Sequence, residues 1–320
     1  MTTNALEQLR ALSVIVADSG DIEAIARLKP QDATTNPSLL LKAVGLPSFA
    51  AVVATAIGNA QGADADARVV DAADRLAVAV GKEILGKIEG RVSTEVDARL
   101  SYDTHASIEK ARHLISLYIG AGVPKERILI KLAATWEGIQ AAKVLEEEGI
   151  NTNLTLLFNM AQARACADAG VFLISPFVGR ILDWHLANGM APVTDPSQDP
   201  GVKSVTEIWN FYKQHGVPTV VMGASFRNTG QILALAGCDR LTISPDLLDE
   251  LASMNVDVPA ALTFSGEVSE LPTAMSEEEF RAALAADAMA SEKLTEGIDK
   301  FAADQVKLEV LIRSHEAFVA

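Results

Sequence analysis

Two rhythms alternate along the chain. Short runs rich in β-branched and aliphatic residues each give way to longer stretches in which apolar residues recur three or four positions apart. The first rhythm predicts strands and the second predicts amphipathic helices. The strand runs are SVIVAD (13–18), DATTN (32–36), RVSTEVD (91–97), ILIKLAA (128–134), NTNLTLLF (151–158), VFLISPF (171–177), TVVMGAS (219–225) and RLTISP (240–245). Helical stretches such as HASIEKARHLISLYIGAG and WEGIQAAKVLEEEG lie between them, and several end in Gly, as a left-handed helix cap favours. Strands that alternate with helices pair in parallel. Eight such units predict an α/β fold of the (β/α)8 type, a closed TIM barrel. An open, doubly wound sheet is the runner-up, but its Gly-x-Gly-x-x-Gly signature is replaced after the first strand by VADSGD.

Three segments exceed a plain barrel. Residues 47–84 read as mostly helical, and their run ADADARVVDAAD lacks the glycine and terminal glutamate of a calcium loop, so it predicts a solvated helix face. Residues 187–201 form a Pro-rich loop. Beyond residue 250 come an irregular stretch, a helix opened by a capping box from Ser276 to Glu279, and a long final helix. Leu294, Ile298, Phe301, Leu308 and Leu311 give that helix one apolar stripe, expected to pack on the barrel's outside or on a partner subunit. No linker divides the chain, so residues 1–320 are expected to form one barrel domain with extra helices near 47–84 and 276–320.

Side chains alternate along a strand, so parity sorts them into barrel-facing and helix-facing sets. Ile128, Ile130 and Leu132 suit the helix layer, which turns Lys131 inward with Leu129 and Ala133. Asn151, Asn153 and Thr155 share one face of the fifth strand, with Leu154 and Leu156 on the other. Ser93, Glu95 and Asp97 fall together, as do Val14, Val16 and Asp18. Thr34, Asn36, Ser175 and Ser225 add polar groups from four further positions. These cluster near the C-terminal ends of the strands, where barrel enzymes hold their active sites.

Lys131 is the most informative of them. An unpaired ammonium in apolar surroundings is costly, so this lysine is paired, faces a cavity, or is neutral. Lowering a lysine pKa by about three units, a differential of roughly 4 kcal/mol, yields a competent amine at neutral pH. Desolvation by Leu129, Ala133 and Phe177 works in that direction, and ionised Glu95 and Asp18 oppose it. A neutral amine in such a pocket attacks carbonyls and forms a Schiff base.

A second constellation follows the sixth and seventh strands. SPFVGR supplies Arg180, and GASFRNTG supplies Ser225 and Arg227 in a turn that leads toward a helix. Exposed backbone N–H groups with arginine forks suit an anion, and barrels often bind phosphate at the ends of their later strands. The histidines show no ligand spacing, so no metal is expected.

The formal net charge of −15 argues against nucleic acid or an anionic membrane as a partner, without excluding a small anion held by local arginines. No apolar run reaches a membrane span, and the first residues lack the pattern of a signal peptide. Cys166 and Cys238 are far apart and read as small buried residues in a reducing, cytoplasmic setting.

The longer motifs resemble the transaldolase family, of the classical bacterial and eukaryotic type. DATTNPSLL (32–40), GRVSTEVDARLSYD (90–103), ILIKLAATWEGIQAA (128–142), NLTLLF, AGVFLISPFVGRILDW and VVMGASFRN carry the resemblance, which runs from about residue 10 onward. It implies that Lys131 is the Schiff-base lysine and Asp18 the group that moves the C4 hydroxyl proton. It implies that Glu95, with Thr155 and a water, shuttles protons during dehydration. Asn36, Asn153, Ser175 and nearby Thr34 would hold substrate hydroxyls, Phe177 would line the site, and Arg180, Ser225 and Arg227 would clamp phosphate. The implied reaction moves a dihydroxyacetone unit from sedoheptulose 7-phosphate or fructose 6-phosphate to glyceraldehyde 3-phosphate or erythrose 4-phosphate. No cofactor is expected, because the lysine imine is the electron sink, and a homodimer is the expected assembly. FNMAQA (158–163) departs from the family's usual Phe-Ser-Phe, outside the inward set.

Two other readings compete. A Schiff-base fructose 6-phosphate aldolase would release free dihydroxyacetone; apolar Phe177 beside Ser175 argues against the efficient watering that this requires. A non-catalytic sugar-phosphate-binding barrel would keep Lys131 only as half of an ion pair.

Overall fold

In a computed structural model, which describes residues 4–319, eight strands close into one barrel. They are β1 (Val14–Asp18), β2 (Asp32–Thr34), β3 (Val92–Glu95), β4 (Ile128–Ala133), β5 (Thr152–Leu157), β6 (Leu173–Pro176), β7 (Val220–Gly223) and β8 (Arg240–Ile243). All pair in parallel in chain order, and β8 returns to β1. Each is shorter than its run by one to three residues, trimmed at either end.

Parity sorts the strand residues as the alternation predicts. Ile128, Ile130 and Leu132 join the main core under the helices, while Leu129 joins Val16, Leu173 and Met222 in a separate floor inside the barrel. The far end of the barrel is sealed by polar groups. Arg240 pairs with Asp32, and Glu146 accepts from Thr152 N at 2.7 Å, Thr152 Oγ1 at 2.6 Å and Phe172 N at 2.7 Å. These bonds satisfy strand starts that would otherwise bury unpaired amides.

β5 breaks the alternation. Its register with β6 shifts between Leu154 and Leu157, and Leu156 takes φ +54°, a left-handed conformation uncommon in a non-glycine residue. Leu154 and Leu157 therefore face the helix layer, whereas Leu156 joins the apolar cluster at the barrel mouth. Strict alternation put Leu156 on the outer face; the bulge reverses it.

The long C-terminal helix, Ala288–Ser314, also differs from expectation. It is not confined to the outside of the barrel. Ala290, Leu294, Ile298 and Phe301 pack with Leu156, Phe158, Phe177 and Ala224 across the mouth. Gly297 makes that close crossing possible, since a Cβ there would lie 2.6 Å from Leu156 Cδ2 and 3.2 Å from Arg180 Nη1. Residues 47–85 are largely helical, the capping box at Ser276 and Glu279 is present, and both cysteines are buried. Burial pushes the Cys238 thiol up to about 12, so it is inert. No helix among the described residues is long and apolar enough to cross a membrane.

Candidate active site

The mouth of the barrel narrows to a cavity of about 60 Å³ lined by side chains from seven of the eight strands, from the segments that follow them and from the C-terminal helix. Larger hollows lie between outer helices, one of about 660 Å³ against Val52, Val78 and Leu117, but their linings are mainly apolar and bring no catalytic groups together. The chemistry points to the small cavity.

Lys131 sits at its base with a side chain 7% exposed. β4 places it beside Glu95 of β3 and Asn153 of β5 in register. Its Nζ lies 3.0 Å from Glu95 Oε2 and donates to the Thr35 carbonyl at 3.2 Å. Of the three arrangements open to a buried lysine, two hold together: it is paired, and it faces a cavity. Glu95 Oε2 is buried and has no aligned hydrogen bond, so the contact is an ion pair of bent geometry. Burial pushes the Glu95 carboxyl above its ordinary range, and the nearby ammonium pulls it back. Thr155 Oγ1 is buried and has no partner among the described residues. A polar group left so costs free energy unless a ligand or water meets it.

Asp18 ends β1 and lines the same cavity. Thr34 Oγ1 donates to its Oδ1 at 3.2 Å and stands 3.0 Å from Thr242 Oγ1. Burial raises the carboxyl's pKa, opposed first by the charge of Lys131. Asn153 and Ser175 are already joined: Ser175 Oγ donates to Asn153 Oδ1 at 2.6 Å, and Asn153 Nδ2 donates to Ser93 Oγ at 3.0 Å. Asn36 caps the helix Pro37–Val44 by accepting from Leu39 N at 2.9 Å, and it also lines the cavity.

The two arginines differ. Arg180 lies half-buried with its guanidinium 4.9 Å from the Phe177 ring and 5.7 Å from the Phe301 ring, and it makes no hydrogen bond or ion pair among the described residues. Burial lowers its pKa, and the charge of Arg227 adds to that. Arg227 is more exposed and turned toward Asp183, with Nη2 at 2.7 Å from Oδ2. It also donates from Nη1 to Ser225 Oγ at 3.3 Å, so it stands at the edge of the cavity and not in its lining. Ser225 lines the cavity with φ +61°, and its carbonyl accepts from Gly179 N at 2.9 Å. A Cβ at Gly179 would meet that carbonyl at 2.4 Å, so glycine is required for the approach. The helix after this turn starts only at Thr229 and is capped by the Asn228 side chain, which accepts from Gln231 N.

Lys131, Asp18, Thr34, Asn36, Thr155, Ser175, Phe177 and Ser225, found by alternation, and Arg180, found in the run after the sixth strand, share one lining, with Glu95 and Asn153 directly behind it. Alternation misses Met222, Ala224, Thr242 and Phe301. Thr242 was legible in the inward parity of the eighth strand. Phe301 was not, because nothing local says that its helix crosses the mouth. Asn159, in the departing FNMAQA run, caps the helix Met160–Ala169 in a reciprocal box with Gln162. The described residues hold no cluster of metal ligands.

A family model described as Transaldolase/Fructose-6-phosphate aldolase matches residues 15–312. A transaldolase from Edwardsiella ictaluri is 61% identical over 312 residues, covering 97% of this chain and 98% of its own length. One from Aeromonas salmonicida is 61% identical over 311 residues, with the same coverage. One from Haemophilus influenzae is 58% identical over 312 residues, again covering 97% and 98%.

Proposed function

The chain belongs to the transaldolase/fructose-6-phosphate aldolase family, and on that premise we propose the following reading of its chemistry. It is a transaldolase. It moves a dihydroxyacetone unit from a ketose phosphate, sedoheptulose 7-phosphate or fructose 6-phosphate, to an aldose phosphate through a lysine Schiff base. The observation that carries this reading is Lys131 itself: an amine buried in a strand, 3.0 Å from a carboxylate, at the base of a cavity with a free guanidinium at its rim.

Lys131 passes a proton to Glu95, and its nitrogen attacks C2 of the ketose. The nitrogen gives a proton to the new C2 oxygen, and Glu95 then protonates that hydroxyl, which leaves as water while the nitrogen lone pair forms the iminium. Thr155 Oγ1, buried and unpartnered, suits the water that relays these protons. Asp18 then takes the C4 hydroxyl proton as the C3–C4 bond breaks, and the electron pair of that bond moves into the iminium. Its raised pKa makes it a stronger base than an exposed aspartate. The aldose phosphate leaves, and the dihydroxyacetone enamine stays on Lys131 until a second aldose accepts it. Asn153, Ser175, Asn36 and Thr34 hold hydroxyls, and Arg180, with Ser225 and Arg227, holds the phosphate. The apolar ring of Phe177, fixed edge-on against Phe158 at 5.4 Å, keeps water from the enamine. The amine supplies the electron sink, so no cofactor has a role.

Borohydride added with fructose 6-phosphate is expected to fix a three-carbon adduct on the peptide holding Lys131. An adduct elsewhere, or none, refutes the assignment. Fructose 6-phosphate alone should give one stalled turnover; steady accumulation of glyceraldehyde 3-phosphate would mean a lyase instead.

A further inference from the structure

Imine formation expels one water, and imine hydrolysis consumes one. Both happen at Lys131 while a sugar phosphate occupies the mouth, so the water needs a place apart from the substrate. A second, smaller cavity of about 30 Å³ lies on the other side of Glu95. Thr35, Asn36 and Glu95 line it. Two of these are Lys131's own partners, since Nζ bonds the Thr35 carbonyl and pairs with Glu95, and Asn36 lines both cavities.

The rear cavity has room for water, and its walls offer several polar partners, as a buried water requires. Asp74 and Gln305 add polar side chains to the lining, and Asp97, whose carboxylate already accepts from Arg99, closes another part of it. Glu95 Oε2 is buried and, apart from its ion pair with Lys131, has no aligned hydrogen bond, on a side chain only 4% exposed. Asp74 is held from outside by Lys110, Nζ to Oδ2 at 2.6 Å, which leaves Oδ1 without a partner among the described residues. Ala73 and Ala77 of the helix Ala65–Leu85 keep the space open, and Asp74, Ala77 and Gln305 form a part-exposed rim.

We propose that this rear cavity is a water site that receives the water expelled from C2 and exchanges it with solvent past Asp74, Ala77 and Gln305. The inference rests on the Schiff-base reading of Lys131. The C2–O bond breaks, the oxygen leaves as water after protonation by Glu95, and that molecule moves back behind Glu95. Hydrolysis runs the same route inward.

The test follows the oxygen. Fructose 6-phosphate incubated with the enzyme in heavy-oxygen water acquires label at C2 only when expelled water is replaced by solvent water. Exchange above the uncatalysed background is measured per borohydride-trapped adduct. Ala77→Leu and Ala73→Val fill the cavity. With it filled, the expelled water stays at C2 and adds back, so label per adduct is expected to fall about tenfold while adduct formation persists. Unchanged label per adduct in variants of native circular dichroism would overturn the proposal. Gln305→Leu, at a part-exposed position of similar volume, replaces a polar wall by an apolar one; it should give the same fall, and unchanged exchange there overturns the proposal even if both alanine variants misfold. Absence of any wild-type adduct would instead refute the Schiff-base reading.

Discussion

Arg180 and Arg227 stand side by side, yet their substitutions should not be equal. Arg180 enters the reaction with nothing to give up, because its guanidinium holds no acceptor within the described chain and rests only on the rings of Phe177 and Phe301. A charge-assisted hydrogen bond to phosphate is worth about 1.5–3 kcal/mol net. Arg180→Ala should therefore slow adduct formation from fructose 6-phosphate by about 10- to 150-fold at low substrate. Arg227 must first leave Asp183, an exposed pair of about 0.2–1 kcal/mol. Deducting that leaves about 0.5–2.8 kcal/mol, so Arg227→Ala should cost about 2- to 100-fold. Asp183→Asn should free Arg227 and lower KM slightly. The phosphate is bound in ground and transition states alike, so most of each loss belongs in KM. The assay is trapping of the donor half-reaction with fructose 6-phosphate and with unphosphorylated fructose, which keeps the acceptor's phosphate out of the measurement. Fructose should be nearly indifferent to either change. Equal losses on both donors, or a large fall in Tm for Arg180→Ala, would mean that the arginine serves the fold or the chemistry and not the phosphate.

Asp18→Asn should leave adduct formation intact while cleavage falls about 10²- to 10⁴-fold, measured as release of the aldose in a single turnover; near-normal cleavage would remove Asp18 from its role. The raised pKa of Asp18 places the acid limb of kcat/KM above the ordinary 3.8, as a pH–rate profile would show. The same shift has a stability consequence of defined sign. Below pH 3.8 the carboxyl is protonated folded and unfolded and costs nothing. As pH rises the unfolded chain ionises first and stability is lost, fully so above the folded pKa. Asp18→Asn should therefore raise Tm at neutral pH and leave it unchanged in acid, by calorimetry. Gly297→Ala gains helix propensity of about 0.5–1 kcal/mol but forces a methyl against Leu156 and Arg180, an overpacking cost of about 1–3 kcal/mol. A lower Tm and a raised KM for phosphorylated donors are expected, and a stabilised variant with normal KM would contradict the packing described.

Alternation exposed most of the site because the barrel imposes one periodicity on eight separate segments. Lys131 stands out because Ile128, Ile130 and Leu132 claim the opposite face. The same rule failed at Leu156, where a left-handed residue inserts an extra position that no local composition announces. Asp97 shows another limit: its parity is shared with Glu95, but its side chain is spent capping the turn Ala98–Leu100 and pairing with Arg99. Arg227 shows a third, since sequence gives its place near the mouth but not the carboxylate of Asp183 that holds it. The C-terminal helix was legible as amphipathic. Its location was not, because an apolar stripe states that a face is covered and not by what.

That helix also determines how the pocket comes into being. Ser38, in the helix after the second strand, donates to Asp304 in a contact that closes 266 residues of chain. Bringing such distant segments together carries a large loop-closure entropy, which is recovered only after most of the intervening structure exists. Each strand pairs with the next in sequence and only β8 must return to β1, whereas Phe301 reaches the mouth only once a helix docks across β5, the helix after β6 and the helices after β2. Refolding therefore has a natural order. A chain can regain its sheet and its circular dichroism while still lacking a wall of its pocket, and catalysis is the last property to return.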